Sequence, residues 1–176
     1  MHLRQRRQTR SPLCFLHPSP LQDNELKVSA LKTVEETLAA SSNPQDGILL
    51  LAIVDSLKLA LRSGNSRVSA AALSCGVALF ESLGKRADGQ EARRTLHTAL
   101  SDLVPAPGII AYLGDNKETT RVVAGKAMLE AGNAAASVDR SAHEEQPLLS
   151  YLDKAVKEQG FGSKNARTRE QVRKIV

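Results

Sequence analysis

The sequence predicts an all-α protein in which paired antiparallel helices stack into a solenoid of about four partial repeats. Three observations predict this fold: the composition, the helical spacing of apolar residues, and a polar turn that recurs along the chain. Of the 176 residues only 3% are aromatic and Trp is absent, while Ala and Leu dominate the apolar set. This composition favours helices packed through small side chains over a β-sandwich, which needs β-branched and aromatic residues.

Apolar residues recur at helical spacing in three successive segments. Residues 24–40, 48–61 and 68–83 place them at intervals of three and four, the pattern of an amphipathic helix. Short breaks rich in Gly, Pro and Asn separate the segments. The side chains predicted to face inward are Leu31, Val34 and Leu38, then Leu50, Val54, Leu57 and Leu61, then Val68, Ala72, Cys75, Leu79 and Leu83.

A polar tip with an Asn, followed by a basic residue and then a helix, recurs four times. The basic residues Lys27, Arg67, Arg121 and Arg169 stand 40, 54 and 48 residues apart. A period near 40 to 50 residues with two helices per unit is typical of HEAT and armadillo-type arrays. One helical pair cannot bury its own apolar face, so neighbouring pairs must stack.

Stacking of this kind brings all the turns between first and second helices to one edge of the array. The N-terminal ends of the second helices point to that edge, with free N–H groups and a positive dipole end. The sequence therefore predicts a row of hydrogen-bond donors and cations that attracts an acidic surface.

Two of these turns resemble those of TOG domains, HEAT-type arrays that bind tubulin. The segments that carry this resemblance are "YLGDNKETTRVVAGKAM" at 112–128 and "FGSKNARTREQV" at 161–172. The segment "NELKVSALKTVEETL" at 24–38, followed by two further hairpins, is similar to the N-terminal TOG region of the CLASP family. The resemblance covers Leu21 to Val176, and it departs from tubulin-binding TOG domains at the first turn, where no Trp is present.

The resemblance implies a microtubule- or tubulin-binding module that acts without catalysis and without a cofactor. It implies a microtubule-associated protein that regulates microtubule dynamics and spindle organisation, in the cytoplasm and on the cytoskeleton. Tubulin or the microtubule lattice is the implied partner, and the turn tips are the implied contacts. Those contacts are Asn24 and Lys27, Asn65 and Arg67, Asn116 and Lys117, and Lys164, Asn165, Arg167 and Arg169.

The chain is predicted to divide into a disordered basic tail, 1–22, and a helical array, 23–176, that is incomplete at both ends. The first pair lacks its first helix, and the chain ends inside a second helix. Apolar residues such as Val172 and Ile175 would then be exposed, and self-association through the unfinished ends is expected. We also expect Cys14 and Cys75 to be reduced thiols without a metal-binding spacing.

Two alternatives to tubulin binding remain open: a nucleic-acid-binding helical repeat and a generic HEAT-repeat scaffold for another protein. Four arginines in the tail supply most of the net charge of +5, and the few aromatic residues offer no stacking platform, which argues against nucleic acid. No phosphate-binding loop or hydrolase motif occurs, so no enzyme activity is expected. The longest strongly apolar run, 47–54, is too short for a transmembrane helix, which needs about 20 residues.

Several features of the turns and of one later segment also have structural interpretations. The four Asn residues are suited to cap helices, and the arginines are expected to bond an Asp of a neighbouring turn. The segment 137–147, "SVDRSAHEEQP", reads as a linker whose charges are solvated.

Overall fold

The computed structural model describes residues 20–40, 47–86, 90–141 and 147–175. Within these ranges it has eight α-helices and no strand, which confirms the all-α class. A π-helical segment, Val156–Phe161, joins the last two helices. The helices are α1 (Pro20–Ala40), α2 (Gly47–Leu61), α3 (Ser66–Gly84), α4 (Gln90–Leu103), α5 (Ile109–Tyr112), α6 (Glu118–Ser141), α7 (Leu148–Ala155) and α8 (Ala166–Ile175).

The helices form two layers. The helices α1, α3, α6 and α8 stack side by side in one layer, and α2, α4 and α7 stack in the other. Short turns join α2 to α3 and the π-helical segment to α8, so the paired helices run antiparallel. This arrangement is the helical-repeat solenoid that the period predicts.

A proline-containing loop separates the helices α4 and α5. Pro105 and Pro107 stand between Leu103 and Ile109, where proline lacks the N–H that a continuous helix needs. The short helix α5 then leads into the turn that precedes α6. Its last residue, Tyr112, donates a hydroxyl hydrogen bond to the carbonyl of Leu61 at the end of α2. This bond joins the end of α5 to the end of α2.

The predicted apolar stripes face the core. All the side chains of these stripes are buried except Val34, which is partly buried against the same cluster. The helix α3 is the most enclosed, because α1, α2, α4 and α6 all pack against it. Small residues permit this: a Cβ added at Gly84 would lie only 3.1 Å from the Cα of Ala134 on α6.

The N-terminal boundary of the array differs from the prediction. The helix α1 begins at Pro20, so residues 20–22 are helical and do not belong to a tail. Proline at the first helical position is a standard helix start, because that N–H has no partner within the helix. Residues 1–19, including Cys14 and the four arginines of the predicted tail, lie outside the described residues.

The prediction of a solvated linker at 137–147 is wrong for its first half. The helix α6 continues to Ser141, and the Asp139 side chain is only 13% exposed. Its carboxylate lies 3.2 Å from Arg93 Nη1 on α4 and accepts hydrogen bonds from the N–H groups of Leu148 and Leu149 at 2.8 and 3.0 Å. Asp139 therefore caps α7 and joins three helices, because a carboxylate can accept several donors at once.

The expected exposure of Val172 is also wrong. Val172 is 1% exposed, and its Cγ2 lies against Gly160, where an added Cβ would approach to 2.9 Å. Ile175 is partly buried against the core. Exposed leucines occur on several helices instead, with Leu26 on α1 at 65% and Leu59 on α2 at 72% exposure. Self-association remains a prediction, and among the described residues exposed apolar side chains occur on α1 and α2 and also on α6, where Val122 is 64% exposed.

Other properties of the described part are consistent with a packed helical core. Cys75 is a free, buried thiol, and burial, with a smaller contribution from Glu35, raises its pKa to about 12. The thiol therefore stays protonated and poorly nucleophilic at neutral pH. None of the described helices combines the length and hydropathy of a membrane-crossing segment.

Replacing Phe80 with Ala tests the core. Phe80 is fully buried on α3, and a large-to-small change at such a site costs about 3–5 kcal/mol of unfolding free energy. Urea unfolding followed by circular dichroism measures the change. Leu59→Ala is the control, because at 72% exposure it should change stability by no more than about 0.5 kcal/mol. Equal losses in the two variants would contradict the described packing.

Candidate functional site: a row of helix N-terminal turns

The turn before α3 is closed by its own side chains. Asn65 is the N-cap residue, and its Oδ1 accepts hydrogen bonds from the N–H groups of Arg67 and Val68 at 2.9 and 3.2 Å. Ser63 Oγ accepts from the N–H of Asn65 at 3.2 Å, and Ser69 Oγ donates back to the carbonyl of Ser63 at 3.1 Å. These bonds satisfy groups that a helix start leaves unpaired.

The turn before α8 repeats this pattern with different side chains. Asn165 Oδ1 accepts from the N–H of Arg167 at 2.9 Å, and Ser163 Oγ accepts from the N–H of Asn165 at 3.2 Å. Here Arg169 takes the place of Ser69, because its Nη1 donates to the carbonyl of Ser163. The capping role expected for asparagine is therefore observed at both positions.

The turn before α6 uses Asp where the other two use Ser. Asp115 Oδ1 accepts from the N–H of Lys117 at 2.7 Å, and Arg121 Nη1 donates to the carbonyl of Asp115 at 2.8 Å and to that of Asn116 at 3.0 Å. Asn116 does not cap this helix. The arginines Arg121 and Arg169 thus bond carbonyls of their own turns, not an Asp of a neighbouring turn as predicted.

The hydrogen bonds correct the register of the repeat. Three seven-residue turns, 63–69, 115–121 and 163–169, share one pattern, and we call them together the turn row. In each, the N–H of the last residue also donates to the carbonyl of the third, at 3.0, 3.2 and 3.3 Å. Ser69 is therefore the equivalent of Arg121 and Arg169. The predicted equivalence of Arg67 with these two arginines is wrong by two residues.

The last two turns of the row, 115–121 and 163–169, are bonded to each other. Asn165 Nδ2 donates to the carbonyl of Gly114 at 3.1 Å, and Arg167 Nη1 donates to Asn116 Oδ1 at 2.6 Å. Gly114 is needed for this approach, because an added Cβ would lie 2.4 Å from both Asn165 Nδ2 and Thr168 Oγ1. The two turns are thus fixed side by side.

A weaker contact joins the first two turns of the row, 63–69 and 115–121. Lys117 Nζ lies 3.4 Å from Ser66 Oγ at the start of α3. Lys117 and Asn165 occupy equivalent positions, and each reaches back to the preceding turn. The structure therefore brings eight of the predicted contact residues to one edge: Asn65, Arg67, Asn116, Lys117, Lys164, Asn165, Arg167 and Arg169.

Asn24 and Lys27 are placed differently from the other predicted contacts. Both lie inside α1 and not in a turn, and Lys27 Nζ is paired with the Asp23 carboxylate one helical turn earlier at 2.5 Å. Asn24 nevertheless lines a groove with Asn65 and Arg67, so this part of α1 borders the turn row. The capping role predicted for Asn24 is wrong.

The cations of the turn row differ in what they already bind. Arg121 and Arg169 are partly buried on backbone carbonyls, and Arg167 holds Asn116. Within the described part of the chain, the exposed side chains of Arg67 and Lys164 have no hydrogen-bond or ion-pair partner. These two carry the positive charge most available to a ligand.

Electrostatic contacts continue onto the outer side of α8. A hydrogen bond from Lys174, 2.7 Å away, and the charge of Lys174 lower the pKa of Glu170, and Arg121 adds to this effect. The contribution of this contact to stability is thus present above the unfolded pKa of the carboxyl and is lost as pH falls through its folded value. Glu170 stays ionised beside the turn 163–169 at neutral pH.

Sequence reasoning missed the residues that close the turns and bring them together. Ser63, Asp115 and Ser163 each accept the N–H two residues on, which is the Asx- and Ser-turn geometry. The signal was available, because an Asx or Ser two residues before the tip recurs in all three turns. The role of Gly114 depends on the distance between turns and carries no such local signal.

Comparison with known proteins gives one informative similarity. The chain is 29% identical over 155 residues to Protein STU1 of Mycosarcoma maydis. The aligned region covers 82% of this chain and 12% of that protein. The chain thus matches only about an eighth of the length of this relative. No family model matches the chain, and no solved structure matches it.

Three Ala substitutions distinguish capping asparagines from the helical one. Asn65→Ala and Asn165→Ala should each lower the unfolding free energy by about 1 kcal/mol, because each removes an N-cap acceptor. Asn24→Ala should leave stability unchanged or raise it by up to about 0.5 kcal/mol, since Ala is the better residue within a helix. Urea unfolding of the three variants measures this. A loss at Asn24 equal to the other two would show that α1 does not begin at Pro20.

Proposed function

We propose that the turn row binds tubulin or the microtubule lattice, as the contact edge of a TOG-like module in a CLASP-like microtubule-associated protein. One observation carries the proposal: hydrogen bonds between turns hold three helix N-termini of the same design in one line, with cations along it. A line of this kind is complementary to an extended acidic surface.

The resemblance of the turns to TOG domains supplies the partner. The similarity to Protein STU1 over most of the chain supports a CLASP/TOG-like relationship, and the all-α repeat architecture agrees with it. The role that follows is the regulation of microtubule dynamics, including spindle organisation, in the cytoplasm and on the cytoskeleton. This role needs no catalytic step and no cofactor.

The magnitudes require the turns to act together. An exposed ion pair contributes about 0–1 kcal/mol, whereas a micromolar complex needs about 8 kcal/mol. A single tip therefore cannot hold a partner. Because the turns are bonded to one another before binding, little conformational entropy is lost when several contacts form at once.

Neither alternative has an observation that favours it. Nucleic-acid binding needs many phosphate contacts, yet much of the basic character of the turn row is directed at its own carbonyls and at Asn116. A generic scaffold would need no such line of cations.

Charge reversal along the turn row tests the proposal. The variant Lys117→Glu, Lys164→Glu, Arg167→Glu should lose co-sedimentation with microtubules, because it replaces three exposed cations on one edge with acids. Wild-type binding should weaken as salt is raised, since exposed charges are screened. Circular dichroism should show unchanged helix content.

The matched control reverses the same number of exposed cations away from the turns. Arg94, Arg140 and Lys154 are exposed, on α4, α6 and α7. Their reversal to Glu should leave binding largely intact. Equal loss in the two triple variants would indicate nonspecific attraction, and absence of wild-type binding at low salt would overturn the proposed function. Binding of an oligonucleotide but not of microtubules would favour the nucleic-acid alternative.

A second test disturbs the row without changing its charge. Gly114→Ala places a Cβ 2.4 Å from Asn165 Nδ2 and Thr168 Oγ1, so the turns 115–121 and 163–169 must move apart. We expect microtubule binding to weaken by about tenfold while all cations remain, because the contacts lose their fixed spacing. Gly64→Ala is the control, since nothing lies within 4 Å of its added Cβ. Full binding by the Gly114 variant would show that the alignment of the turns is unimportant.

A further inference from the structure

A groove lies between the first half of α1 and the start of α3. It encloses about 340 Å³ and is open to solvent at the end of the turn row. It brings together two cations, two amide side chains, one carboxylate and one apolar residue. These are Lys32 and Arg67, Asn24 and Asn65, Glu25, and Val28.

Comparison within the repeat shows what the groove lacks. Arg67 and Arg167 occupy equivalent positions, because the N–H of each donates to the capping Asn at 2.9 Å. The guanidinium of Arg167 is held by an oxygen of the preceding turn, Asn116 Oδ1, at 2.6 Å. For Arg67, the place of that preceding turn is taken by the continuous helix α1. No described residue supplies the matching oxygen to Arg67.

We infer that this groove binds a carboxylate side chain from an extended acidic segment of a partner protein. The bound oxygen takes the place that Asn116 Oδ1 takes beside Arg167. The inference rests on the proposed function, because it names the position on the turn row where an acidic partner is held most specifically.

The chemistry of the lining fits a carboxylate better than other anions. A guanidinium pairs with a carboxylate through two parallel hydrogen bonds, and the Lys32 ammonium adds a second cation. Asn24 and Asn65 contribute amide groups, and the half-buried Val28 offers apolar contact to the methylene groups of Glu. Glu25 limits the net charge of the groove to one positive charge, which disfavours a doubly charged phosphate.

The test uses the full chain and a poly-glutamate peptide, with a poly-glutamine peptide of equal length as its control. Amide NMR titration should show shifts at Asn24, Lys32 and residues 65–68 with the acidic peptide only. The variant Lys32→Gln, Arg67→Gln should weaken peptide binding by about tenfold with helix content unchanged, because both cations that face the carboxylate are removed. Its matched control is Arg94→Gln, Lys154→Gln, which neutralises two exposed cations outside the groove.

Three outcomes would overturn the inference. They are equal shifts with poly-glutamine, equal losses in the two double variants, and tighter binding of a short oligonucleotide to the same residues. The result is separable from the proposed function. Peptide binding in the groove without microtubule binding would leave the inference standing and end the tubulin proposal. If the wild-type chain binds microtubules but Lys32→Gln, Arg67→Gln does not weaken peptide binding, the proposed function stands and the inference is overturned.

Discussion

The helix α3 must be enclosed by helices on most of its surface, and the rest of the array follows from that requirement. Its buried positions include Leu73, Leu79 and Phe80 on several sides of the helix. One antiparallel partner cannot cover such a helix, so α1 and α6 must flank it while α2 and α4 cover its inner side. Small residues along α3 and α6 make the approach close, and a close approach fixes the rotation of each helix about its axis.

That fixed rotation is what turns a stack of helices into a line of N-termini. When α6 and α8 pack at short distance, the turns before them meet at Gly114, and no side chain fits between them. The turns then exchange hydrogen bonds through Asn165 and Arg167. The geometry of the surface edge is therefore set by small residues in the interior and by Gly114 at the contact between turns. The charged residues lie on an edge that packing has already aligned.

The sequence predicted well what depends on local pattern. The stripe that includes Leu50, Leu57 and Leu61 is buried as expected, because burial of an amphipathic face is dictated by spacing alone. Asn24 was misplaced because Asn suits both turns and, less well, helices, and only the Pro20 start separates the two cases. The predicted register at Arg67 is wrong because the turn before α3 can be aligned with the other turns in two ways that both match a basic residue and an Asn. The hydrogen bonds of Ser69 and Arg169 to the carbonyls of Ser63 and Ser163 identify the correct alignment.

The same hydrogen bonds make the charge exposed at this edge differ from the charge that the chain carries. Arg121 and Arg169 count fully toward the sequence pI of about 9.4, yet their guanidinium groups are directed at the carbonyls of their own turns. An Arg so held stabilises a turn and offers a partner only its remaining donors. Arg67 and Lys164, which are exposed and make no such bond among the described residues, present their whole charge to solvent. The charge exposed along this edge is thus set by the position of a few uncommitted cations on an aligned frame, and net charge is a poor measure of it.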